Sequence, residues 1–345
     1  MGQVPPPVTG YAYITARMIE TLQQSAEVET VNISPGHRRG VLKHVHKTYQ
    51  TLWACWQLTR HTRGAKLTYI GCEGDWGLVY TSALVMTARM LGYAVLLHHH
   101  SFGYVDKSFS MMRFITHIGG DHIRHIFLCT TMRDRFESQY GRAHYTQIIS
   151  NAAFVAPGQD IQDSSIQSNP IRIGMLSNLT REKGLYTFID LVRALKDMKL
   201  GVEAVLAGPI ADPRDQANVA VAERELGGAL NYVGPVYGAA KDQFYRELDV
   251  FVFPTQYANE AQPTVLFEAL AAGNSIIAFD RGCIASQVKQ NGIAIAATDD
   301  FCARACDFIL ELSQQRSAAQ RRTIIRNFNQ SRALALAAAT NLTAT

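Results

Sequence analysis

No run of about 18 apolar residues occurs anywhere in the chain, so the sequence predicts no membrane-spanning helix. The opening residues, MGQVPPPVTG, lack the charged-then-apolar order of a secretion signal. Six cysteines, at 55, 72, 129, 283, 302 and 306, are scattered without any Cys-x-x-Cys. That spacing argues against a zinc site or a disulfide framework and for reduced thiols in a cytoplasmic protein. Also missing are the P-loop Gly-x-x-x-x-Gly-Lys-[Ser/Thr], the zinc pattern His-Glu-x-x-His and any Asp-x-Asp. No metal site and no resident cofactor are therefore expected. Acid is missing from one whole region, since Val31 to Ile70 contains no Asp or Glu.

That region carries Arg38, Arg39, Lys43, Lys47, Arg60, Arg63 and Lys66, although the net charge of the chain is only +4. Between the cations, Val41, Val45, Tyr49, Leu52, Trp53 and Trp56 recur at helical spacing, which predicts a basic amphipathic helix with aromatics. Such a helix is read equally as the solvated face of a globular domain or as a surface for an anionic membrane or acceptor. Nucleic acid is not expected, because no nucleic-acid-binding signature accompanies the 38–66 stretch.

Short β-rich runs alternate with longer helical patterns along the whole chain. Strands are predicted at 28–33, 67–71, 94–97 and 124–128, then at 171–176, 202–207, 230–233, 250–253 and 275–279, with helices between them. The fold class is α/β, with two Rossmann-like, doubly wound parallel-sheet domains facing a cleft. The expected division is an N-terminal domain over 1–157, a polar, proline-bounded linker over 158–170, and a C-terminal domain over 171–345 ending in a helical segment. A doubly wound domain ordinarily opens on a strand, and this chain opens at the turn PPPVTGYAYIT, so a first strand appears missing.

Ligands of open α/β sheets bind at the carboxyl ends of strands, and five segments fall there. Gly10 opens a helix in VTGYAYIT. YIGCEGDWGLVY has Gly-x-x-Gly-x-x-Gly rather than the dinucleotide fingerprint, leaving Glu73 and Asp75 as polar loop residues. AVLLHHHSF presents three histidines directly after a buried strand, with His98 and His100 on one face and His99 on the other. In GMLSNLTREKGLYTFIDL, Asn178, Arg181 and Lys183 precede Gly184 and a helix, which suits an anionic group. In NEAQPTVLFEALAAGNS, Pro263 suits the first helical turn, so Glu260 lies ahead of the helix and Glu268 within it. N–H groups near Thr264 and Val265 lack intrahelical partners and suit a diphosphate, with an acid on each side for the two ends of a nucleotide sugar.

Glu260 and Glu268 form an E-x7-E element, and around it the chain resembles the retaining GT-B glycosyltransferases of family four, the group 1 transferases. SNLTREKGL resembles the family's phosphate loop, VLAGP its strand and turn, and YRELDVFVFPT the strand entering the E-x7-E loop. FEALAAGNSIIAFDRG resembles the family's next helix, strand and glycine turn. The likeness spans roughly 171–282, with PPPVTG and LLHHHSF similar to the N-terminal loop and histidine strand. The resemblance implies that Lys183 contacts the donor diphosphate, Glu268 the ribose and Glu260 the transferred sugar. It implies that backbone from Ala261, Gln262, Pro263, Thr264 and Val265 cradles phosphate and sugar. His100, with His99 second, would face the donor sugar, and Gly10, Asn178, Arg181 and Gly184 would complete the donor site. Departures are Asn178 for the usual arginine, Ser275 for a common proline, Ser286 for a common acid and one glycine at 10 for two.

The resemblance implies metal-independent transfer of a sugar from a nucleotide diphosphate sugar to an acceptor hydroxyl with retention, in cell-surface polysaccharide or glycolipid synthesis. Alternatives are a catalytically silent nucleotide-sugar-binding protein, or a GT-B-fold sugar-phosphate isomerase or phosphorylase. The expected partners are the donor and a sugar, lipid-linked or polysaccharide acceptor. The expected location is the cytoplasm, with contact to the inner face of the cell membrane through residues 38–66.

Overall fold

The computed structural model describes residues 1–7, 9–36, 38, 40–60, 66–159 and 170–343. Two compact units result. The first holds Met1–Phe154, Ala258–Gln262 and Arg332–Thr345, and the second Val155–Tyr257 and Pro263–Ser331. Neither unit is one stretch of sequence, in contrast to the expected domains 1–157 and 171–345. A short loop and the C-terminal residues group with the first unit instead. Residues 160–169 of the expected linker, and Arg39 and Arg63 of the basic stretch, lie outside the described residues.

The first unit is built on four parallel strands in chain order: β1 (Leu67–Cys72), β2 (Ala94–His99), β3 (Ile123–Phe127) and β4 (Tyr145–Ile148). Its helices are α1 (Gly10–Gln23), α2 (Gly40–Arg60), α3 (Gly77–Met90), α4 (Gly103–Asp106), α5 (Ser110–Gly119) and α6 (Thr130–Tyr140). Thr9 caps α1 by accepting from the Ala12 N–H at 3.1 Å, and the helix buries Ala12, Ile14, Met18 and Leu22. The expected strand at 28–33 shrinks to a single bridge, Gly2 to Asn32. Met1 and Gly2 take the place of a first strand: the Gly71 N–H donates to the Met1 carbonyl at 3.2 Å, and the Ile33 N–H to the Gly2 carbonyl at 3.0 Å. Pro5, Pro6 and Pro7 have no N–H to donate, so the ladder stops there. Sheet order therefore reverses between Met1–Gly2 and β1.

The second unit has six parallel strands in the order β10-β9-β8-β5-β6-β7. They are β5 (Ile171–Leu176), β6 (Val202–Ala207), β7 (Leu230–Tyr232), β8 (Val250–Phe253), β9 (Ser275–Phe279) and β10 (Gly292–Ile295). Helices α7 (Leu185–Asp197), α8 (Pro213–Leu226), α9 (Gly238–Glu247), α10 (Thr264–Ala271), α11 (Ile284–Val288) and α12 (Phe301–Gln315) connect and flank them. The last helix, α13 (Ala318–Thr340), crosses at Arg332 from the second unit's residues to the first's. Strands β8 and β9 are buried along their whole length, as VFVF and SIIAF require of parallel strands covered on both faces. Chain order reverses between β5 and β8, so the loops leaving these neighbours open a crevice of the kind that holds ligands in such sheets.

Cys55, Cys72, Cys302 and Cys306 are free thiols. Among the described residues no helix is long and apolar enough to cross a membrane.

His98, His99 and His125 are buried, and burial holds the imidazoles of His98 and His99 well below their usual range and that of His125 at about 3. The His100 imidazole is likewise lowered to about 3 by burial. These groups stay neutral when folded and take up protons near pH 6.5 once unfolded. Their contribution is complete above that pH and is lost as pH falls toward the folded values, at up to about 1.4 kcal/mol per histidine per pH unit. Urea denaturation at pH 7.5 and pH 5 should therefore show a marked acid loss, shrinking in His125→Phe; equal stability at the two pH values would refute it.

Candidate functional site

The turn after β5 is folded on itself. Thr180 accepts the Lys183 N–H on both its carbonyl, at 3.2 Å, and its hydroxyl, at 3.3 Å. The Leu185 N–H donates to the same carbonyl at 3.2 Å, and the Gln256 N–H, from the segment after β8, to the Glu182 carbonyl at 2.9 Å. Gly184 is required on two counts: its φ is +92°, and a Cβ there would stand 2.2 Å from the Pro254 carbonyl oxygen. This glycine lets the Lys183 turn seat directly on the exit of β8. Lys183 Nζ lies 4.5 Å from the centroid of the Tyr257 ring. Arg181 is drawn elsewhere, 4.8 Å from the Tyr186 ring, whose hydroxyl donates to Asp215 at 2.5 Å. Asn178 is exposed.

Helix α10 starts at Thr264, one residue later than Pro263 suggests, with Pro263 as its extended cap. The Pro263 carbonyl accepts from Gln287 Nε2 at 3.0 Å, which pins the helix entrance to α11. Within α10, Glu268 accepts from Lys241 Nζ at 2.7 Å on one oxygen and from the Tyr245 hydroxyl at 2.9 Å on the other. Lys241 and Tyr245 are four apart on α9 and so share a face. Burial, and then the charge of Glu268, push the Tyr245 phenol well above its usual pKa, so its proton remains in the bond. A carboxylate has about four acceptor sites; two are taken here, leaving two for a vicinal diol. Asn274, fully buried, donates to the carbonyls of Tyr245 at 2.9 Å and Leu248 at 2.7 Å, fastening the end of α9 to the turn after α10.

In the first unit, the three histidines separate as the strand alternation requires. His99 is a core residue: Nδ1 lies 2.9 Å from the Tyr104 hydroxyl, Nε2 2.9 Å from His125, and the ring stacks on Phe127. With both nitrogens engaged, His99 is not placed to meet a ligand, and the sequence expectation for it is corrected. His98 and His100 lie on the other face with ring centroids 4.1 Å apart, and the shielded Nε2 of each has no hydrogen-bond partner among the described residues. His100 packs edge-on against Tyr11 at 5.0 Å. Gly10 is exposed, and a Cβ there would meet nothing within 4 Å, so packing does not demand a glycine.

The switch point of this sheet holds a polar cluster that the sequence reading does not assemble. Lys47 is only 3% exposed, and its ammonium is paired with Glu73, which also accepts from Gln3 Nε2 at 2.8 Å. Lys47 Nζ stands 4.9 Å from the Tyr80 ring centroid. Burial lowers its pKa, opposed by the charge of Glu73 and the hydrogen bond to it. The sequence reading assigns Lys47 to a basic surface; its helix position shared with Thr51, Ala54 and Leu58 turns it inward.

Glu260 belongs to the loop that joins the first unit. Asn259 fixes one side of it, accepting from Ser101 Oγ at 2.9 Å and donating to Asp75 at 2.8 Å. Gln262 fixes the other: its side-chain oxygen accepts from the Asn151 N–H at 2.7 Å, and its Nε2 donates to the Leu128 carbonyl at 3.1 Å. Its backbone carbonyl accepts from Asn151 Nδ2 at 2.8 Å. The side chain and carbonyl of Gln262 thus anchor the loop. Ala261 is buried beside it.

Residues 158–326 match the model of the family Glycosyl transferases group 1. That stretch is therefore similar to the group 1 glycosyl transferases. Over 149 residues the chain is 26% identical to the amylovoran biosynthesis glycosyltransferase AmsK of Erwinia amylovora, a match covering 42% of this chain. The chain spans 36% of the length of this curated relative. In fold it is similar to Anabaena HepE solved with UDP and glucose, with TM-score 0.65, 17% identity and coverage of 97% of this chain and 98% of that one. Sucrose-phosphate synthase from Thermosynechococcus elongatus gives TM-score 0.67 at 16% identity, covering 99% of this chain and 93% of that one. These two likenesses establish the GT-B fold, and the stretch matched by the family model includes Lys183, Gly184, Pro263, Thr264, Val265 and Glu268.

Tyr245→Phe should cost about 1–3 kcal/mol in urea denaturation, since it removes one of the two donors to a half-buried carboxylate. Combined with Lys241→Ala, the loss should depart from additivity by at least about 0.5 kcal/mol, because both residues act on one group. Strict additivity would show that they do not share it.

Proposed function

We propose that the chain is a retaining glycosyltransferase that moves a sugar from a nucleoside diphosphate sugar to an acceptor hydroxyl. The observation that carries this reading is the Glu268 carboxylate, steadied by Lys241 and Tyr245 on a helix whose first-turn N–H groups have no intrahelical partner. Two free acceptor positions on that carboxylate suit the two hydroxyls of a ribose. The adjoining diphosphate then falls to the start of α10, to Lys183 and to the loop around Gly184, where backbone dipoles and the ammonium meet its charge. Support comes from the match to the group 1 glycosyl transferases and from HepE, whose structures hold UDP with glucose and UDP-glucose.

In the reaction the bond from the anomeric carbon to the diphosphate oxygen breaks, and a bond to the acceptor oxygen forms on the same face. The acceptor proton passes to the departing phosphate oxygen, and a nucleoside diphosphate leaves. Lys183 and the α10 N-terminus stabilise the negative charge that develops, without a metal ion. The acceptor is a precursor of a cell-surface polysaccharide or glycolipid, a reading supported by the amylovoran biosynthesis relative.

A thermal-shift screen across UDP-, GDP-, ADP- and dTDP-sugars should single out one donor, and mass spectrometry should then find a glycosylated acceptor or slow release of free sugar. Lys183→Ala should lower turnover about 10²-fold or more. Donor binding with no turnover, even to water, would make the chain a silent nucleotide-sugar-binding protein and refute the transferase.

A further inference from the structure

Helix α2 is mounted with its apolar side outward. The face it packs inward consists of Lys47, Thr51, Ala54 and Leu58. On the opposite side, Leu42, Val45, Tyr49, Leu52, Trp53 and Trp56 are all exposed, Tyr49 at 63% and Leu52 at 64%. At 100° per residue these side chains fall within an arc of roughly 100°, centred on the side turned away from the unit. Such a stripe ordinarily marks the face a helix buries. A contiguous apolar patch of this size on a free surface marks a site of association.

The charge around the stripe selects what it meets. Lys43 and Arg60 are exposed on α2, Arg38 just ahead of it and Lys66 beyond it. Between Val31 and Val105 the only acids are Glu73 and Asp75. Glu73 is spent on Lys47, and Asp75 accepts from Asn259. Pairing α2 with a second copy would set Lys43 and Arg60 against the same cations with no acid on either helix to offset them. An anionic bilayer instead meets the cations with lipid headgroups and the apolar stripe with acyl chains. The aromatic content fits that interface: the Trp53 and Trp56 rings lie 4.6 Å apart, and the Arg60 guanidinium covers Trp56 at 4.8 Å.

We propose that α2 is a membrane-surface helix that lies in the headgroup region of anionic bilayers, with Leu52, Trp53 and Trp56 immersed and Lys43 and Arg60 at the phosphates. This inference does not rest on the donor site: lipid binding would stand even if the chain transferred no sugar.

Sedimentation with vesicles of phosphatidylcholine mixed with phosphatidylglycerol, against vesicles of phosphatidylcholine alone, tests it. The full chain should partition onto the anionic vesicles, and high salt should weaken the binding. Leu52→Gln with Trp56→Gln, at exposed positions that leave the core intact, should reduce partitioning at least about tenfold. Lys43→Gln should reduce it about fivefold. Failure to bind anionic vesicles would overturn the proposal, as would undiminished binding by the doubly substituted chain. Sedimentation velocity covers the remaining occupant: a dimer that dissolves on the same double substitution, without vesicle binding, would assign the face to a second copy and refute the lipid reading.

Discussion

The approach of Gly184 to the Pro254 carbonyl is the contact on which the second unit's site depends. Sheet order reverses between β5 and β8, so their outgoing loops leave side by side. Adjacency alone would still leave a gap filled by side chains. A glycine in the left-handed region removes the Cβ that would separate the two loops, and the Glu182 carbonyl then receives the Gln256 N–H. Lys183 is thereby carried to the segment that leads from β8 toward α10. Its ammonium settles over Tyr257 in that same segment.

A second layer of residues gives the site its rigidity. Gln287 holds the Pro263 carbonyl, Asn274 fastens the end of α9, and Lys241 and Tyr245 fix the carboxylate of Glu268. Each of these supports is polar and largely buried, so each must be satisfied for the unit to be stable. A site held in this way loses little conformational freedom when a ligand arrives.

Much of this was legible in the sequence, because the strong signals were local. Alternating strand and helix patterns announced the parallel sheets, and the glycine, proline and paired acids marked the loops around the candidate site. Strands β4 and β10 were missed because YTQI and GIAI are short, partly exposed edges with little apolar pattern. The strand expected at 28–33 failed because its neighbour, Met1–Gly2, runs at once into prolines that cannot extend a ladder. Lys241, Tyr245 and Gln287 carry no local signature, since their roles arise only when α9 and α11 pack beside α10. The basic stretch was read correctly as amphipathic, but periodicity cannot say which face turns inward. Lys47 turned inward to pair with Glu73, and the tryptophans turned outward. His99 shows the same limit in reverse: strand alternation separated it from His98 and His100, and the packing of Phe127 and His125 then made it core.

The most direct measurement is the position of a nucleoside diphosphate in a crystal of this chain. The account predicts ribose hydroxyls at hydrogen-bond distance, about 2.6–3.2 Å, from the Glu268 carboxylate, with the distal phosphate at the first turn of α10 and near Lys183. A nucleotide bound away from Glu268, with that carboxylate engaged by Lys241 and Tyr245 alone, would contradict it.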